Sequence, residues 1–135
     1  MSEDRVPRKL TSVLVEETAN DVVVTWGLGE PTQERFEYFG YGLAYYGLDG
    51  NGGKRLGVRV STTPEVTAFV FDNESVTQAN YTEDAVTLRE DAVVVQFRDA
   101  SLGLSGGIGT TSAYSHTDGR DRDTDVQVSI IRHDG

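Results

Sequence analysis

The chain has 135 residues, enough for one domain with a substantial apolar core. Its net charge of −10 disfavours a phosphate backbone as partner, and the absence of cysteine excludes disulfides and thiolate metal sites. Of its 12 basic residues only Lys9 and Lys54 are lysines, which fits a GC-rich genome or adaptation to high salt, where clustered carboxylates keep a protein hydrated.

Residues 1–10 read as a charged, extended arm ahead of a single domain over 11–135. They do not resemble a secretory signal, and no run approaches the ~20 apolar residues that span a bilayer. The expectation is therefore a cytoplasmic protein with no membrane or nucleic-acid partner. A short strand is predicted over 12–16, and a turn follows over Thr18-Ala19-Asn20-Asp21, where Asn and Asp side chains bond to their own backbone. Residues 22–28 form a strong strand with Val22, Val24, Trp26 and Leu28 on one face. Pro31 sits in a polar loop that ends it.

Half of the aromatic residues then fall in one arm, as Phe36, Tyr38, Phe39, Tyr41, Tyr45 and Tyr46. A turn at Asp49-Gly50-Asn51-Gly52-Gly53 leads to a return arm with Leu56, Val58 and Val60 inward and Arg55, Gly57, Arg59 and Ser61 outward. The hairpin over 36–61 is expected to be the buried centre of the fold, since both faces of its first arm are apolar. Gly40 and Gly42 leave gaps there for a bulge or a close neighbour. Further strands are predicted over 66–71, 78–82 (an edge), 86–89, 92–98 and 126–131, the last with Val126, Val128 and Ile130 inward. Residues 101–125 are poor in apolar side chains and read as a long loop. No window shows helical periodicity with caps. Eight or nine short strands imply an all-β antiparallel sandwich, with a closed barrel as the alternative.

The run Val22-Val23-Val24-Thr25-Trp26, followed by Phe39-Gly40-Tyr41-Gly42-Leu43-Ala44-Tyr45, resembles fibronectin type III and related immunoglobulin-like modules. The resemblance covers residues 21–61. It implies that Trp26 packs on the aromatic strand.

Asp121, Asp123 and Asp125 alternate in an acidic stretch and are the candidate ligands for a hard cation, calcium being the candidate. Arg120 and Arg122 between them offset that field, and a solvated acidic loop explains the stretch without a metal. Only His116 and His133 offer a base near neutral pH, and neither accompanies a nucleophile motif, so no catalytic residue is assigned. Tyr38, Tyr41, Tyr45 and Tyr46 are candidates to stack on sugar rings, set against a role as aromatic core. A small, acidic, cysteine-free β domain with a charged arm suits a non-enzymatic structural or interaction protein. The expected setting is a homo-oligomer or hetero-complex of protein subunits, such as the head, decoration or tail of a tailed virus. The alternative is a module that binds carbohydrate or another ligand.

Overall fold

The structure, a computed structural model, describes residues 8–17, 21–31, 37–47, 53–61, 66–72, 76–81, 85–89, 91–98, 108–117, 120–121 and 126–132. Strands make up nearly all of them. These are β1 (Arg8–Glu17), β2 (Asp21–Pro31), β3 (Tyr38–Gly47), β4 (Lys54–Ser61), β5 (Val66–Asp72), β6 (Thr77–Tyr81), β7 (Val86–Leu88), β8 (Ala92–Arg98), β9 (Ile108–Thr117), β10 (Arg120–Asp121) and β11 (Val128–Arg132). They form two sheets. Sheet A has the order β11-β1-β2-β8-β7, and sheet B the order β10-β9-β3-β4-β5-β6. Neighbouring strands are antiparallel except β1 and β11, which run parallel. Among the described residues both sheets are open, so the arrangement is sandwich-like and not the closed barrel.

The interior follows from period-two alternation. On β2, Val22, Val24 and Trp26 are buried between half-buried Asp21, Val23 and Thr25. On β4, Leu56, Val58 and Val60 are buried between exposed Arg55 and Arg59. Phe39, Tyr41 and Leu43 of β3 join Val93, Val95 and Phe97 of β8 and Val13 and Val15 of β1 in one cluster drawn from both sheets. Burying each such side chain contributes roughly 1.5–3 kcal/mol. The 36–61 hairpin supplies β3 and β4, the two middle strands of sheet B.

Polar ties fix how the layers sit. Trp26 Nε1–H donates across the interior to the Gly42 carbonyl of β3 at 3.3 Å. The Tyr41 hydroxyl donates to the Arg8 carbonyl at 3.2 Å and accepts from the Arg8 N–H at 3.1 Å. Tyr81 meets Phe97 edge-on at 5.5 Å between ring centroids. Tyr41→Phe should lower stability by about 1–2 kcal/mol, because it strips both partners from the part-buried Arg8 backbone. A chemical-denaturation curve indistinguishable from that of the parent would contradict this.

Two sequence expectations are corrected. Of the arm expected over 1–10, Arg8, Lys9 and Leu10 belong to strand β1 and Leu10 is buried, while residues 1–7 lie outside the described residues. Register shifts between Arg8, Leu10 and Ser12 opposite β2 reset the alternation, so Leu10 and Val13 both point inward although they differ in parity. A bulge of this kind hides a strand from a period-two reading. The loop expected over 101–125 contains β9 and β10, which raises the strand count above nine. Among the described side chains of β9, those that point inward are Ala113, Ser115 and Thr117, small or polar yet buried, so this part of the strand carries little apolar signal.

Val76, just before β6, is 73 % exposed and has φ of 55°. The left-handed region is costly for a β-branched side chain. Asn tolerates it, so Val76→Asn should raise stability by about 1 kcal/mol, read as a higher urea midpoint at unchanged slope.

Candidate ligand-binding face

The outer face of sheet B is built around a pair of glycines. Gly42 of β3 pairs with Gly57 of β4, and the same row continues to Tyr114 of β9 on one side and to Phe69 then Asn80 on the other. The row thus reads aromatic, glycine, glycine, aromatic, amide across five strands. Neither glycine has space for a side chain. A Cβ at Gly57 would lie 2.5 Å from Cζ of Phe69, and one at Gly42 would run into the Tyr114 ring. The two aromatic side chains lean inward from β9 and β5 and cover the glycine backbone. His116 leans over Gly40 in the same way, with its ring 5.9 Å from Tyr38 and 6.3 Å from Tyr114. This explains why Gly42 and Gly57 are buried although they face outward.

Beside Phe69 lies an open groove of ≈ 460 Å³ lined by Glu37, Tyr38, Arg59, Ser61, Thr67, Phe69, Gln78 and Asn80. Strand alternation puts the side chains of Tyr38, Arg59, Ser61, Thr67, Phe69, Gln78 and Asn80 on one face, and Glu37 joins them from just ahead of β3. Tyr38 pairs with Ser61, Arg59 with Thr67, and Phe69 with Asn80. The Arg59 guanidinium carbon stands 5.4 Å from the Tyr38 ring centroid, a cation–π contact that holds the cation on the groove wall. Gln78 Nε2–H donates to Asn80 Oδ1 at 2.8 Å, which orients the amides on the opposite wall. The groove therefore combines two aromatic surfaces with a guanidinium, a carboxylate, two hydroxyls and two amides, none of which is sequestered in the core.

The four candidate tyrosines do not share this environment. Tyr38 lines the groove. Tyr41 is 2 % exposed and points the other way, into the core. Tyr45 and Tyr46 continue β3, but their side chains lie outside the described residues. Asp121 closes β10 with its side chain outside the described residues, and Asp123 and Asp125 lie outside them altogether. Among the described residues, no three His, Asp or Glu side chains group closely enough to hold a metal ion.

Phe69, Asn80, Gln78, Arg59 and Tyr114 were not singled out from the sequence. The available signal was glycine at interior strand positions 40, 42 and 57, which marks a place where something approaches the backbone closely. Comparison with family models, curated proteins and solved structures found no match.

Proposed function

We propose that the chain is a non-enzymatic recognition domain that binds a neutral saccharide in the groove on the outer face of sheet B. The observation that carries this reading is the placing of the Phe69 and Tyr38 rings among Arg59, Glu37, Ser61, Thr67, Gln78 and Asn80. A sugar presents apolar C–H faces and a rim of hydroxyls. Rings take the former, while fixed amides, a guanidinium and a carboxylate take the latter. The net charge of −10 favours neutral over acidic sugars. Calorimetric titration of the chain with a panel of neutral oligosaccharides tests the reading. Saturable binding to one structural class is expected, and absence of binding across the panel counts against it.

A second reading, a subunit of a larger assembly such as a tailed-virus head, decoration or tail component, is favoured by apolar and strand surface left open. Val76 is 73 % and Ile131 45 % exposed, and β6 stands at a sheet edge with four of its five residues exposed. Electron microscopy of the chain within particles would establish this setting. The immunoglobulin-like character belongs to the same proposal, and its support is Trp26 reaching across to β3.

A further inference from the structure

An unpaired strand edge is a template for another strand, and proteins normally blunt it with charge, brevity or a bulge. Among the described residues, three of the four sheet edges here carry such a device. At the edges of sheet A, β7 has only three residues, Val86–Leu88, and β11 ends on Arg132. At one edge of sheet B, β10 is the charged pair Arg120–Asp121. The fourth edge is different. Strand β6 is Thr77-Gln78-Ala79-Asn80-Tyr81, five residues without charge, proline or register shift, and positions 77–80 are exposed. In a chain of net charge −10, an uncharged edge is where a second copy approaches without opposing carboxylates.

We infer that β6 pairs with β6 of a second copy of this chain, antiparallel and centred on Ala79. The segment is self-complementary in that register. Thr77 falls opposite Tyr81, Gln78 opposite Asn80, and Ala79 opposite its own copy, so no pair sets like charges together. The two-fold axis stands perpendicular to the sheet. Both outer faces therefore lie on the same side, and the two six-stranded sheets become one continuous sheet. Gln78 and Asn80 line the groove, so the pairing also brings the two grooves side by side, with the four amides at their junction. A repeating polymer could then engage both grooves at once. Because a five-residue strand pair buries less than the roughly 1,000 Å² of a stable interface, the dimer is weak and depends on concentration. Salt strengthens it by screening the net charge.

Sedimentation of the full chain over a concentration series, at low and high salt, tests this inference. The average mass is expected to rise towards twice that of the monomer, further at high salt. Ala79→Asp sets two carboxylates opposite each other and should hold the chain monomeric at every concentration, while Ala79→Ser keeps the dimer. Thermal melts matching the parent establish that both variants fold. A readout independent of these variants uses the lack of native cysteine. Opposed residues of an antiparallel pair lie within disulfide reach, so Ala79→Cys should cross-link into a dimer on oxidation, and Gln127→Cys should not. A strict monomer, a dimer unaffected by Ala79→Asp, or no cross-linking by Ala79→Cys would overturn the proposal. Ala79 does not line the groove, so saccharide binding by the Ala79→Asp monomer separates this outcome from the fate of the binding reading.

Discussion

Trp26→Ala is expected to lower the unfolding free energy by about 3–5 kcal/mol, a large fraction of the 5–15 kcal/mol typical of a domain. The side chain is fully buried. On one side of it in the sheet stands Val13 of β1 and on the other Val93 of β8, both also buried. Removing the indole opens a cavity between the two sheets and takes the donor from the carbonyl of Gly42, itself a member of the glycine row of the outer face. Trp26→Phe refills most of the volume without the donor, so its smaller loss separates the packing contribution from the hydrogen bond. Urea unfolding followed by far-UV circular dichroism measures both. A loss below about 1 kcal/mol for Trp26→Ala would mean that the interior collapses around the gap, against the close packing of the sandwich.

The second large effect falls on recognition instead of folding. Phe69→Ala should weaken saccharide binding at least tenfold, roughly 1.4 kcal/mol, while the melting curve moves little. Phe69 is only half-buried and lies outside the core cluster. Its companion Gly57→Ala keeps the ring but removes its seat, because the new methyl takes the space of Cζ. The far end of the Phe69 side chain can yield, so this variant should fold and bind several-fold more weakly. Arg59→Gln shortens the side chain and removes the charge held against Tyr38, and its effect separates the part played by the guanidinium from that of the rings.

Much of the architecture was legible in the sequence because strands with one buried face alternate strictly. Leu56, Val58 and Val60 against Arg55 and Arg59 need only that rule, and so do Val22, Val24 and Trp26. The rule fails where backbone irregularity or small residues intervene. Leu10 was hidden by the register shifts that put it in step with Val13. Strand β9 was hidden because its described inward side chains, Ala113, Ser115 and Thr117, are small or polar and Tyr114 and His116 rest on glycines.

The candidate face was partly legible. The aromatic pattern marks Tyr38, and the gaps at Gly40 and Gly42 leave room for a close neighbour. Which side chains fill them depends on pairing across five strands, and register between distant strands is not written in local pattern. Tyr41 illustrates the limit. It lies three residues from Tyr38 on the same strand, so the two rings face opposite sides, one into the core and one into the groove.

The proposed saccharide recognition rests on the outer face of sheet B. Its most direct test is an ¹H–¹⁵N spectrum of the chain titrated with neutral oligosaccharides, recorded alongside Phe69→Ala. The expected result is a set of shifts confined to Tyr38, Arg59, Thr67, Phe69, Gln78 and Asn80 and lost in the variant. Shifts on sheet A, shifts unaltered by Phe69→Ala, or no shifts at saturating sugar would contradict it.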